Sequence, residues 1–226
     1  MTILHEERLS DSAYVETIIQ GRTVRDGSAI RPAENHWHMV FVKQYGHTRA
    51  LVVGPWARSG VVSWEEGAEI LWIKFKTGVF IPQAPFSDLI DRETILPEAI
   101  GQSFRLKSST WQFPSYENAE TFIDRLARED VLVRDPVVDT VLRGLPLELS
   151  PRTVRQHFLR ATGLTQNHLY QVARAQRAAA LLRQGVSIPD TVYEAGYFDQ
   201  PHLTRALKQW IGHTPVQIRR MSTNST

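Results

Sequence analysis

The stretch AGYFDQPHLTRALKQWIGHTPVQIRR, residues 195–220, decides how the chain folds. Asp199 stands where an N-cap belongs, Pro201 falls in the first turn after it, and Gly212 marks the stop. Between them Leu203 and Leu207 are i, i+4 neighbours that face inward, leaving Gln200, His202, Arg205 and Lys208 outward or flanking. The segment SPRTVRQHFLRATGL, residues 150–164, has the same plan. Ser150-Pro151 opens it, Gly163 closes it, Val154 and Phe158 face in, and Arg152, Arg155 and Gln156 face out. Such spacing lets a helix dock on a partner while its N-terminal half lies in a DNA major groove. Outward Arg and Gln there make bidentate contacts to guanine and adenine.

Working outward, the second half of the chain reads as helical. Ser115 is the expected N-cap of a helix over 116–128, with Phe122 and Leu126 on one face. Asp135-Pro136 opens a helix that Gly144 ends. A long amphipathic segment over 166–183 stops at Gly185, and a short one over 189–194 stops at Gly196. The last clear helix ends at Gly212, and residues 221–226 read as a frayed tail.

Residues 195–220, together with 150–164 and the connecting segment HLYQVARAQRAAALL at 168–182, resemble the AraC-type (AraC/XylS) transcriptional regulators. The family pattern carried here is Gly-aromatic-x-Asp, an apolar-x-Arg helix, a Gly-x-Thr-Pro turn and a closing apolar residue followed by Arg. The resemblance implies a C-terminal double helix-turn-helix module. Its first recognition helix would present Arg152, Arg155 and Gln156, and its second Gln200, Pro201, His202 and Arg205. The connecting helix would hold the two about one DNA turn apart. Implied partners are a double-stranded DNA operator and, for an activator, RNA polymerase; no cofactor is implied. The chain departs from the family at Gly144, Leu145, Pro146 and Leu147, where Pro146 forbids the usual continuous helix. Pro201 replaces a small hydroxyl residue and removes a donor.

Charge supports this division. The 226 residues sum to only +2, and the pI near 9.0 follows from the absence of groups titrating between His and Tyr or Lys. Resolved along the chain, residues 1–133 carry 14 Lys and Arg against 18 Asp and Glu, net −4; residues 134–226 carry 12 against 6, net +6. All but one of those twelve cations are Arg, the residue suited to gripping phosphate or a guanine edge. The acidic half should repel DNA and so help orient the basic half. With no Cys, thiolate metal sites, redox pairs and an alkyl-accepting repair function are excluded.

The first half reads as β, with runs at 14–24, 36–43, 49–54, 60–64 and 69–76 rich in Val, Ile, Trp and Phe. In EILWIKFK, Leu71, Ile73 and Phe75 share one face while Ile70, Trp72, Lys74 and Lys76 share the other. The segments HWHMVFV, LVVGP and IKFKTGVF are similar to a cupin-like sensing domain of the same regulators. A small-molecule effector and homodimerisation are the expected roles of such a domain. Trp37, Trp56 and Trp72 are candidates to line its ligand pocket, although the five Trp of this half fit a core and dimer interface equally. His36 and His38, two apart on a strand, could hold a first-row metal, which makes a cupin-like metal-dependent enzyme the alternative. Lys43 and Gln44 stand where that pattern wants Glu, and hydrogen-bonded histidines beside Trp37 are the other reading. No phosphate loop, GxSxG or HExxH motif occurs, so an enzyme is not expected.

The expected fold class is α+β: an N-terminal β-rich cupin-like barrel or sandwich followed by an all-α double helix-turn-helix domain. The expected division is 1–113 for sensing or dimerisation, 114–133 as a helical connection, 134–220 for DNA binding and 221–226 as tail. The start lacks an apolar core of the signal-peptide kind, and no run is long enough to span a membrane, so a cytoplasmic protein is expected.

Overall fold

A computed structural model describes residues 3–82, 84, 86–99 and 102–223. Thirteen strands are described: β1 Ile3–Leu9, β2 Val15–Thr23, β3 Gly27–Arg31, β4 His38–Gln44, β5 His47–Val53, β6 Gly60–Trp64, β7 Glu69–Phe75, β8 Val79–Phe80, β9 Glu93–Ile95, β10 Glu98–Ala99, β11 Ser103–Leu106, β12 Ser109–Gln112 and β13 Val133–Arg134. Seven α-helices are described: α1 Ala119–Arg128, α2 Pro136–Leu142, α3 Pro151–Thr162, α4 Gln166–Arg183, α5 Ile188–Glu194, α6 Gln200–Trp210 and α7 Pro215–Thr223. A 3-10 turn lies at Phe86–Leu89. The class is α+β, with a strand-rich N-terminal region and a helical C-terminal one.

Six strands pair antiparallel in the order β1-β2-β7-β4-β5-β9. The alternation in β7 sorts as its sequence demands: Leu71, Ile73 and Phe75 are buried while Ile70, Trp72 and Lys74 are half-buried. Register aligns Ile18, Ile73 and Met39 across three strands, and Leu71 with Phe41. Onto Phe41 pack Phe104 from β11 and Phe122 from α1, both by ring contacts. Trp111 of β12 meets Phe122 edge-on, so α1 and the β11–β12 hairpin cover this face. The β4–β5 turn is Tyr45-Gly46, both at positive φ, the geometry that a two-residue hairpin requires.

Contacts divide the chain into two units. Unit 1 comprises Met1–Gly27, His36–Pro55 and Ser63–Thr165; unit 2 comprises Ser28–Asn35, Trp56–Val62 and Gln166–Thr226. Unit 2 is organised on α4, whose Ala175, Ala178, Ala179 and Leu182 form a core with Leu203, Ala206 and Leu207 of α6, with Ile211 just after α6 and with Ile218 of α7. The alanines let the neighbouring helices approach closely. Segments 28–35 and 56–62 finish α6: Ala33 N–H donates to the Trp210 carbonyl at 2.6 Å and Ser59 N–H to that of Gln209 at 3.0 Å. These carbonyls belong to the last turn of α6, which its own helix leaves unsatisfied.

Four details differ from the sequence-based expectation. β1 is a strand although ILHEERL shows no clean alternation, because it borders the sheet and is exposed over most of its length. α1 begins at Ala119; Ser115 instead donates its N–H to Asn118 Oδ1 in the preceding turn. A helix follows Gly212 after all: Thr214 Oγ1 accepts from Gln217 N–H while Gln217 Oε1 accepts from Thr214 N–H, a reciprocal cap that starts α7. Residues 221–223 are its last turn, and 224–226 lie outside the described residues.

Candidate nucleic-acid interface

Both expected recognition helices form, and both have strong N-termini. Ser150 Oγ accepts from Thr153 N–H at 3.1 Å above Pro151, and Asp199 Oδ1 accepts from His202 N–H at 2.7 Å around Pro201. In each case the side chain satisfies an orphan donor while proline sits where no donor is needed. Pro146 falls in the non-helical segment between α2 and α3, so the departure seen in the sequence ends α2 early without disturbing α3.

α3 is held within unit 1. Phe158 and Ala161 are buried, and His157 and Arg160 reach the same carboxylate, Asp135, at 2.8 and 2.6 Å. Asp135 is itself the N-cap of α2, accepting from Val137 and Val138 N–H at 2.9 and 3.2 Å, and its side chain is wholly buried. Burial raises its pKa, but donation from His157, Arg160 and Val138 outweighs that and holds the carboxyl below its ordinary range. Arg160 also lies over the Phe80 ring. α3 ends at Gly163, φ +71°, where a Cβ would stand 2.7 Å from the Phe86 carbonyl oxygen.

α6 is held within unit 2 by Leu203 and Leu207, both fully buried. Tyr197 is buried just ahead of it, with the Arg174 guanidinium 4.1 Å from its ring centroid. Burial pushes the Tyr197 hydroxyl up from its usual value, partly opposed by Arg174.

The structure leaves Arg152, Arg155 and Gln156 exposed on α3, and Gln200, Pro201 and Arg205 exposed on α6. Among the described residues, no hydrogen-bond or ion-pair partner meets the side chains of Arg152, Arg155, Gln156, Gln200 or Arg205. Four acidic residues of this region are engaged elsewhere: Asp135 on His157 and Arg160, Asp139 on Arg134 and Arg143, Asp190 on the hydroxyl of Ser187, and Asp199 as the α6 cap. His202 is placed differently from the other candidates. It is half-buried, edge-on to Tyr197 at 5.2 Å, with Arg174 3.5 Å from its Nε2. Phe198, which sequence reasoning passed over, is 91% exposed just before the Asp199 cap. No local pattern in the sequence marks its exposure.

The three candidate pocket tryptophans fall in different surroundings. Trp37 is core, stacked on Phe75 at 3.9 Å and donating Nε1–H to the Val79 carbonyl at 2.6 Å. Trp72 lines an apolar cleft of about 370 Å³ with Ile3, Ile19, Trp64 and Ile70. Trp56 belongs to unit 2, where the Arg31 guanidinium stacks 3.3 Å from its ring. The expected HxH pair is not formed on one strand: β4 begins at His38, and His36 precedes it with Nδ1 2.8 Å from the Phe75 carbonyl and 2.9 Å from Glu16. His38 is buried edge-on against Trp72. Among the described residues no group of three or more His, Cys, Asp or Glu could hold a metal ion. No described helix is long and apolar enough to cross a membrane.

The family model described as a helix-turn-helix domain matches residues 146–221, which span α3 to α7. Comparison with curated proteins and with solved structures finds no match. The C-terminal third of the chain is thus a DNA-binding helix-turn-helix domain of the kind carried by AraC-type transcription regulators.

Proposed function

We propose that the protein is a sequence-specific transcription regulator whose α3 and α6 enter adjacent major-groove segments of one operator. Five exposed side chains carry this: Arg152, Arg155 and Gln156 on one capped helix, Gln200 and Arg205 on the other, none with a described polar partner. Arg forks suit guanine O6 and N7, and Gln suits adenine N6 and N7. Pro201 packs as an apolar first-turn contact, and His202, braced by Tyr197 and Arg174, contributes one edge at most. The remaining Arg residues and the helix N-termini hold phosphates and fix register.

In this proposal residues 1–113 sense a small effector or form a homodimer, 114–133 connect, and 134–220 contact DNA in the cytoplasm. Two observations favour control from the N-terminal region. α3 packs in unit 1 beside the 3-10 turn and β8, and the last turn of α6 is completed in unit 2 by segments 28–35 and 56–62. An effector that favours one arrangement of these segments would change the fraction of DNA-competent protein. Trp72 in its apolar cleft is the pocket residue best placed for such a ligand, while Trp37 packs in the core and Trp56 belongs to unit 2. An activator would also contact RNA polymerase.

The test is Arg205→Ala and Arg155→Ala against cognate and random duplexes. Each should cost about 1–3 kcal/mol on the cognate site and relax preference at one base pair. Equal losses on both duplexes would make these phosphate contacts and remove the claim of base reading.

A further inference from the structure

The N-terminal edge of α6 carries a large apolar side chain that neither the fold nor the hydrogen-bonding readers account for. Phe198 is 91% exposed, while its neighbour Tyr197 is 6% exposed. Asp199 holds an extended backbone, φ −154° and ψ 172°, and caps α6 through His202 N–H. Phe198 and Asp199 form a bend between the buried Tyr197 and the start of α6, and the Phe198 ring stands out from it. The ring emerges beside Gln200 and Pro201, both exposed in the first turn of α6.

A lone exposed apolar residue is ordinary on a protein surface; its position here is not. This is the end of the helix from which base edges are read, and a phenyl ring there can neither bond phosphate nor pair with a polar base edge. The one apolar group in the major groove is the thymine C5-methyl. Gln200 beside it suits adenine, and every A·T pair presents an adenine edge with a thymine methyl. The Asp199 cap fixes the start of α6 immediately after Phe198.

We propose that Phe198 is a specificity-determining residue that packs on the methyl group of a thymine next to, or paired with, the adenine contacted by Gln200. The proposal rests on α6 being a DNA reader and adds a base preference that the hydrogen-bonding residues do not supply.

The experiment uses the full chain and the tightest duplex recovered from a random DNA pool. Each thymine is replaced in turn by uracil, which deletes only the methyl, and wild type, Phe198→Ala and Phe198→Leu are titrated on every duplex. Wild type should lose about fourfold in affinity at one thymine, the worth of one buried methyl. Phe198→Ala should bind the thymine and uracil duplexes equally, and Phe198→Leu should keep part of the difference. Affinity for random DNA and the melting temperature should be unchanged, since the ring touches no core.

Indifference of the wild type to every methyl would overturn the proposal while leaving base reading by α6 intact. So would a Phe198→Ala loss of equal size on random DNA, or full retention of the uracil effect in that variant. Normal DNA binding by Phe198→Ala with lost self-association or polymerase contact would reassign the ring to a protein partner. A wild type that enriches no sequence at all would sink the DNA-reading proposal together with this one.

Discussion

Replacing Asp135 tests how the first reader is held. Asp135→Ala removes the α2 N-cap, worth about 1 kcal/mol, and the shared acceptor of His157 and Arg160 on α3. Hydrogen bonds to a charged group contribute about 1.5–3 kcal/mol when buried. Arg160 is more than half exposed and can turn to water, so its part is discounted. The expected loss is about 2–4 kcal/mol. Asp135→Asn keeps an acceptor for Val137 and Val138 but not the charge, and should lose about half as much. Four of the six Trp lie in unit 1, so their fluorescence in urea follows the affected region. The folded carboxyl titrates below its unfolded value. Its contribution is therefore complete above roughly pH 5 and fades as pH falls through the folded pKa. The gap between wild type and Asp135→Asn should accordingly shrink as pH falls from 5 toward 3. An Asn variant as stable as wild type at pH 7, or a gap that persists undiminished at pH 3, would refute the role given to this carboxylate.

Other perturbations read different links. Gly163→Ala combines a positive φ with a Cβ 2.7 Å from the Phe86 carbonyl oxygen and should cost about 1–3 kcal/mol in thermal or urea unfolding. Thr214→Ala removes the acceptor that starts α7 and should cost about 1 kcal/mol, read in the same way. DNA affinity should fall steeply with salt, log K dropping by roughly 0.9 per phosphate neutralised against log salt, with a shallower slope in variants lacking phosphate-binding Arg. A flat salt response would mean that the +6 region is not used on DNA.

The helices were legible where local chemistry is self-contained. Asp135-Pro136, Ser150-Pro151 and Asp199 with Pro201 each combine a cap with a proline, and Gly163, Gly185 and Gly196 end the helices they follow. Alternation in residues 69–75 likewise placed β7 and its buried face. What was not legible depends on partners distant in sequence. Asp135 meets residues more than twenty positions away, and nothing local marks it as their acceptor. β1 pairs with β2 along its whole length while most of its side chains stay exposed, so they carry little pattern. His202 looked outward by helical spacing, but Arg174 and Tyr197 draw it in. On α3 and α6 the outward Arg and Gln residues were readable from periodicity, whereas Phe198 lies in the bend before α6, where no helical period applies.

Two helices of one chain are proposed to read base pairs. Selection of bound duplexes from a random DNA pool by the full-length protein measures this directly. Enrichment of a motif with two conserved blocks one helical turn apart is predicted, with the block read by α6 weakened in Arg205→Ala and the block read by α3 weakened in Arg155→Ala. Recovery of no motif, or of one that both variants leave unchanged, would contradict the account.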